Sequence, residues 1–275
     1  MQLEGKVFAV TGGGNGIGRE VVLGLLRAGS RVAALDLSAE GLAATVAEAE
    51  AEGSAAMLTT HPVDVTQRDA VSTLPEQVVA AHGAVDGLVN VAGIIQPFVT
   101  VDALTPEQIE KVMNVNFWGV VNTCQAFLPH LQARPEAAIV NFASMGALTP
   151  VPGQAAYGAS KAAVKLFTEG LYCELKDGPV DVTIVFPGAI ATDIAGNSGV
   201  TVNAPADDTA AAEASSHPTT SAVDAAEATI GAIESGAYRL VIGKDAKFVD
   251  WASRVAPQWA ANYITKKMGD LLERA

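Results

Sequence analysis

Tyr157 and Lys161 stand four residues apart in Tyr157-Gly158-Ala159-Ser160-Lys161, a spacing that puts a phenol and an ammonium on one face of a helix. A phenol with a pKa near ~10 is a poor base at neutral pH, and a cation one turn away favours its ionised form. Such a pair can exchange a proton with an alcohol or carbonyl oxygen. A second, independent signal lies far upstream, in Thr11-Gly12-Gly13-Gly14-Asn15-Gly16-Ile17-Gly18. It follows the apolar run Val7–Val10 and precedes the apolar run Val21–Leu26, which is the order strand, glycine loop, helix. Glycines let backbone approach a pyrophosphate, and the following helix points free N–H groups and its positive end at phosphate. The glycines read G-x-x-x-G-x-G, not the strict dinucleotide fingerprint G-x-G-x-x-G. Asp36, eighteen residues past Gly18, closes the next apolar stretch, where a ribose-binding carboxylate belongs.

The elements that must carry these groups follow from periodicity. Strands are expected near 6–11, 31–36, 55–60, 85–90, 137–143, 180–186 and 239–242, and helices near 16–28, 38–52, 67–81, 106–132, 154–176 and 224–235. This alternation predicts an α/β fold, a doubly wound parallel sheet of about seven strands with right-handed crossovers and helices on both faces. Gly12, Asp36, Asn90, Ser144 and Pro187 would then all emerge at the carboxyl ends of strands, where ligands bind in open sheets.

With these motifs in order, the chain resembles the short-chain dehydrogenase/reductase family in its compact single-domain form, from about Lys6 to about Thr192. Asp64-Val65 is similar to the pair that borders the adenine ring. Asn90-Val91-Ala92-Gly93 resembles the family's N-N-A-G, with Val91 in place of the second asparagine. Asn116 begins an N-x-x-G run, Asn141-Phe142-Ala143-Ser144 ends a strand at the catalytic serine position, and Pro187-Gly188-Ala189-Ile190-Ala191-Thr192 is similar to the nicotinamide clasp. Gly13 and Gly14 stand where Ala or Ser is common, which predicts a looser loop.

The resemblance implies a Rossmann-type domain over 1–242 in which Asn116, Ser144, Tyr157 and Lys161 are catalytic. Tyr157 would be the general acid/base, Ser144 would hold the reacting oxygen, Lys161 would lower the phenol pKa and bind ribose hydroxyls, and Asn116, through a helix distortion and a water, would relay protons to Lys161. The cofactor set implied is Gly12, Gly14, Asn15, Gly16, Ile17, Gly18, Asp36, Leu37, Asp64, Val65, Asn90, Ala92, Gly93, Tyr157, Lys161, Pro187, Gly188, Ile190 and Thr192. Asp36 accepts a ribose 2′-hydroxyl and repels a 2′-phosphate, and Asn15 and Leu37 bring no cation beside it, so NAD is expected over NADP. Residues placed to line the substrate pocket are Ile95, Gln96, Ser144, Met145, Val151, Gln154, Tyr157 and Ile190.

Composition narrows the classes. Of 275 residues 49% are hydrophobic and only 5% aromatic, which suits an Ala- and Val-rich sheet buried on both faces. The net charge is −13; residues 243–275 carry +2, leaving −15 on residues 1–242, a poor surface for nucleic acid. No Lys or Arg lies between Arg134 and Lys161 or between Lys176 and Arg239, so the substrate segments offer no cation to clamp a carboxylate or phosphate. A neutral, moderately apolar secondary alcohol or ketone is expected. Cys124 and Cys173 read as buried reduced thiols, and the four histidines show no ligand spacing, so no metal is expected. The first strand begins close to Met1, and no apolar run reaches spanning length, which predicts a cytoplasmic protein.

Two segments break the α/β rhythm. Residues 195–223, rich in Gly, Ala, Ser, Thr and Asp, are expected to form a substrate lid. Residues 243–275 are expected to be a helical extension divided at Pro257, with Ala260, Ile264, Met268 and Leu271 as an apolar stripe. That stripe would pack on the domain or at a subunit interface of a homo-oligomer, dimer or tetramer, with a membrane surface near Lys266 and Lys267 as the other option. Two rival functions stand beside the NAD-dependent alcohol dehydrogenase: an NADPH-dependent ketoacyl-type reductase, and a non-catalytic dinucleotide sensor or scaffold.

Overall fold

The computed structural model describes residues 1–200, 219–269 and 272. Seven parallel strands form one sheet: β1 (Val7–Thr11), β2 (Arg31–Asp36), β3 (Leu58–Pro62), β4 (Gly87–Asn90), β5 (Ala137–Phe142), β6 (Val180–Pro187) and, after a small pair β7 (Ile190–Ala191) and β8 (Thr220–Ser221), β9 (Arg239–Ile242). Their order across the sheet is β3-β2-β1-β4-β5-β6-β9, so the winding reverses between β1 and β4. That reversal leaves a crevice at the carboxyl ends, the place where open α/β sheets bind ligands.

Strand alternation feeds two apolar cores. From β1, Val7 and Ala9 enter one core and Phe8 and Val10 the other, and all four are buried. The first core is capped by α3 (Arg68–Ser72), α4 (Leu74–His82), α6 (Gly119–Gln132) and α7 (Ala155–Leu175), through residues such as Val71, Val78, Phe127 and Val164. The second is capped by α1 (Gly16–Arg27), α2 (Ala39–Ala51) and α9 (Ala222–Ser235), through Val21, Leu25, Leu42 and Ala225. The short α8 (Ile194–Asn197) follows β7, and the chain ends in α10 (Lys244–Val255) and α11 (Pro257–Met268), which pack on each other, α10 also meeting β9.

Several boundaries differ from the sequence reading. A 3-10 turn at Ala55–Met57 delays β3 to Leu58. The helix expected over 67–81 divides at Thr73, because Pro75 suits the first turn of a new helix, where no N–H partner is needed. The helix expected over 106–132 is α5 (Pro106–Met113) and α6 joined by a π turn, Asn114–Trp118. Cys124 is buried and its thiol pushed up to about 12 by desolvation, but Cys173 is exposed on α7, which corrects its expected burial. Residues 201–218 of the expected lid, with Asp207, Asp208 and Glu213, and Leu271 of the terminal stripe lie outside the described residues.

Candidate active site

The cleft begins at the glycine loop. Gly12 has φ 71°, and a Cβ there would stand 2.9 Å from the Ala92 nitrogen. At Gly18 a Cβ would collide with the Gly12 carbonyl. Helix α1 can therefore start tight against the loop, and its first turn has no side-chain cap and no acidic residue. Its leading N–H groups are left for an anion. The expected looseness at Gly13 and Gly14 is offset by neighbours: Thr45 Oγ1 donates to the Gly13 carbonyl at 2.9 Å and Arg19 Nη2 to the Gly14 carbonyl at 2.6 Å.

Asp36 ends β2 beside this loop. Its Oδ2 accepts from Gly14 N and its Oδ1 from Ser38 N, both at 2.9 Å, so the carboxylate is aimed while lone pairs remain on each oxygen. Leu37 next to it is 73% exposed. The cleft of about 500 Å³ is lined by Gly12, Asn15, Gly16, Ile17 and Gly18, by Asp36 and Leu37, by Asp64 and Val65, by Ala92 and Gly93, and by Thr192. An uncapped helix start, a glycine floor and a positioned carboxylate in one cleft fit a dinucleotide. Lys111, Val115, Asn197 and Ser198 line it too, which the sequence reading did not anticipate. The switch point is held by Thr11, whose Oγ1 accepts from Val91 N at 3.1 Å and Ala92 N at 3.2 Å.

Not every expected cofactor contact faces the cleft. Asn90 is 3% exposed; its Nδ2 donates to Asn141 Oδ1 at 2.9 Å and its Oδ1 accepts from Thr123. Its side chain is corrected to an interior cross-link between β4, β5 and α6, and it secures the strand end where Val91 replaces an amide. Gly14 serves through its bond to Asp36. Pro187, Gly188 and Ile190 line a separate turn after β6, fixed by Asp245 of α10, whose Oδ2 accepts from Ala189 N at 2.8 Å.

The catalytic set converges where β5 ends and α7 begins. Ser144 follows β5, and its Oγ accepts from Gly146 N at 3.1 Å. Tyr157 lies in the first turn of α7 with its ring beside Ser144, a Cβ at Gly146 standing 3.5 Å from both the Ser144 Oγ and the Tyr157 Cε1. One turn on, Lys161 is 4% exposed and its Nζ donates to the Phe142 carbonyl at 2.9 Å. Burial holds this lysine down at about 8. Burial also pushes the Tyr157 phenol up, opposed by the neighbouring Ser144 side chain, so desolvation works against the lowering expected from Lys161.

Asn116 sits in the π turn, fully buried. Its Oδ1 accepts from Ile94 N at 2.8 Å, and its Nδ2 donates to the Ile94 carbonyl and to Ser160 Oγ, each at 2.9 Å. A Cβ at Gly93 would stand 3.2 Å from Lys161 Nζ and 3.3 Å from Asn116 Oδ1, so the missing side chain keeps a small polar space between them.

The substrate-side residues divide. Gln96 is 1% exposed: its Nε2 donates to the Gly153 carbonyl, and its Oε1 accepts from Tyr157 N at 3.0 Å. Gln154 Nε2 donates to the Gln96 carbonyl at 2.7 Å. Both Nε2 groups are spent joining the loop after β4 to the start of α7, so neither is offered to a substrate, while Gln154 Oε1 is buried without a partner; Gln96 is corrected from pocket wall to clamp. Val151 and Gln154 line a second cleft that adjoins Gly146, whereas Ile95, Met145 and Ile190 line neither cleft. Ile95 N instead donates to Ser198 Oγ at 3.0 Å, tying the turn after α8 across the cleft mouth.

The family model described as short chain dehydrogenase matches residues 6–202. The oxidoreductase SadH of Mycobacterium tuberculosis (strain CDC 1551 / Oshkosh) is 40% identical over 256 residues, covering 92% of this chain and 91% of its own. A Burkholderia phymatum short-chain dehydrogenase/reductase solved in complex with NAD superposes with TM-score 0.82 at 26% identity, over 94% of this chain and 95% of that one. A Burkholderia cenocepacia short-chain dehydrogenase in complex with NADP gives TM-score 0.78 at 27% identity, over 96% and 99%. A family that binds nicotinamide dinucleotides thus accounts for the glycine floor, the Asp36 carboxylate and the Ser144–Tyr157 contact together, and this chain belongs to it: it is an oxidoreductase of the short-chain dehydrogenase/reductase family.

Proposed function

We propose that the protein interconverts a neutral, moderately apolar secondary alcohol and its ketone with NAD(H), using Tyr157 as the general acid/base. The observation that carries the cofactor choice is Asp36, aimed by Gly14 N and Ser38 N into the cleft with Leu37 and Asn15, neither of them a cation, at the neighbouring positions. Buried next to a 2′-phosphate, that carboxylate would face like charge without a partner. Arg19, the nearest cation in the loop, is engaged by Gly14, Thr45 and Glu48.

The cleft from Gly12 and Gly18 to Asp36 would hold NAD(H), which would supply or accept the hydride at the substrate carbon. The chain's own work is to hold the oxygen on that carbon and move its proton. Ser144 orients it alongside the phenol, and Tyr157 gives up its proton in reduction or takes one in oxidation. An ordinary phenol already holds its proton near neutrality, and burial pushes Tyr157 further in that direction, which favours ketone reduction there and alcohol oxidation at higher pH. Lys161, held by Phe142 beside the space under Gly93, is placed to pass protons onward past Asn116.

The neutral-substrate reading rests on the lack of cations at positions 135–160 and 177–238; burying a carboxylate there without a partner is strongly unfavourable. The NADPH-dependent ketoacyl-type alternative draws on Lys111 in the cleft wall. Initial rates with NADH and NADPH on a cyclic diketone and on an acetoacetyl thioester test both points. The proposal expects NADH with the diketone to be fastest by at least about tenfold in kcat/KM, roughly 1.4 kcal/mol; a preference for NADPH with the thioester rejects it.

A further inference from the structure

Helix α10 presents its small residues inward and its large ones outward. Ala246, Val249 and Ala252 are buried against the domain, while Phe248, Trp251 and Val255 are 41%, 61% and 65% exposed. A globular amphipathic helix does the reverse with its bulk. The exposed stripe continues onto α11 through Trp259, 51% exposed, which stacks on Tyr263 at 5.4 Å, and Phe248 meets both rings edge-on. Two helices therefore share one outward aromatic face.

Among the described residues the unpaired charge on this face is of one sign. Lys244 and Lys247 border it on α10, Lys266 and Lys267 on α11, and all four are exposed. Among the described residues none of them is in an ion pair. The acids of α10 are engaged elsewhere: Asp245 holds Ala189 N, and Asp250 is paired with Arg239 and Arg254. On a chain of net charge −13, a basic aromatic patch is a local reversal.

We infer that this α10–α11 face docks onto an anionic lipid surface, lying in the headgroup region and not crossing it. Aromatic rings with one apolar edge settle at that depth, and lysines on the rim are attracted to anionic headgroups. No helix among the described residues is long and apolar enough to span a bilayer, so contact is peripheral. A second copy of this chain suits the face less well, because a two-fold contact would set the lysine rim of one copy against the same rim of the other. The acidic body stands off the surface and is screened beyond about 8 Å at physiological salt. Because Asp245 also fixes the turn after β6, lipid contact would reach that turn through α10.

The test is flotation of the full chain with vesicles of phosphatidylcholine plus phosphatidylglycerol, against phosphatidylcholine alone, with light scattering of the protein in parallel. Binding is expected to the anionic vesicles only and to weaken as salt rises. Each lysine near such a surface is worth about fivefold in partitioning, so Lys244→Gln with Lys247→Gln should lower it by about 25-fold. Trp251→Glu should abolish it without moving the melting temperature. On binding, tryptophan emission should shift to the blue, and less so in Trp251→Phe. Equal binding to both vesicle types, binding to neither, or a dimer dissolved by Trp251→Glu in the absence of vesicle binding would each overturn the inference.

Discussion

Asn116 Nδ2 donates to the Ser160 hydroxyl at 2.9 Å, and that hydroxyl donates in turn to the Tyr157 carbonyl at 2.7 Å. The π turn and the catalytic turn of α7 are thereby one hydrogen-bonded unit, with Ser160 as the joint. Ser160→Ala should cost about 1 kcal/mol of stability for the lost bonds and lower kcat severalfold while the KM for NAD stays near wild type. Unfolding curves and initial rates check this; a wild-type kcat would show that Ser160 only fills space.

The space beneath Gly93 leads to a sharper expectation. Gly93→Ala would put a methyl group 3.2 Å from Lys161 Nζ and 3.3 Å from Asn116 Oδ1. Turnover should fall by about tenfold or more as the polar path closes, while dinucleotide affinity, measured by fluorescence titration, changes little. Unaltered turnover would remove this space from the proton path.

Cofactor preference should follow Asp36. The pair Asp36→Ala and Leu37→Arg removes a repulsion and adds a guanidinium that suits phosphate. The kcat/KM ratio of NADH over NADPH should drop by at least about tenfold. Equal use of both cofactors by the wild type would contradict the role given to this carboxylate.

Lys161 supplies a pH signature. Its native value is about 8 against an ordinary 10.5, because burial disfavours the ammonium. Between those two values the unfolded chain holds a proton that the native chain has released, so this group's contribution to stability rises with pH across the window and is flat below it. Relative to Lys161→Met, the wild type should gain stability from about pH 8 to about pH 10. A constant difference in denaturation free energy across that range would mean the lysine keeps its proton.

What sequence could and could not show follows from the range of each interaction. The glycine loop, the apolar strands and the Tyr157–Lys161 spacing are local patterns, so they read directly. The break at Asn114–Trp118 lies inside a continuous helical period, so periodicity hides it and only the family resemblance points to a distortion at Asn116; its bonds to Ile94 and Ser160 fix the place. The Gln96 clamp joins residues some 60 positions apart, and Asp245 reaches Ala189 over a similar span. Two amides near a helix start, or one aspartate in a tail, carry no local mark of such partners. The burial of Tyr157 is hidden for a related reason: spacing shows the neighbouring cation, but desolvation is a property of the packed fold.

Tyr157→Phe tests the central claim most directly, because the ring still packs while the transferable proton is gone. Measured side by side, dinucleotide affinity and NADH-dependent reduction of a cyclic diketone should separate. Affinity should stay within about twofold of wild type, while kcat should fall by about 10²–10⁴-fold. A variant that binds the cofactor and retains more than about a tenth of wild-type kcat would contradict the assignment of Tyr157 as the general acid/base.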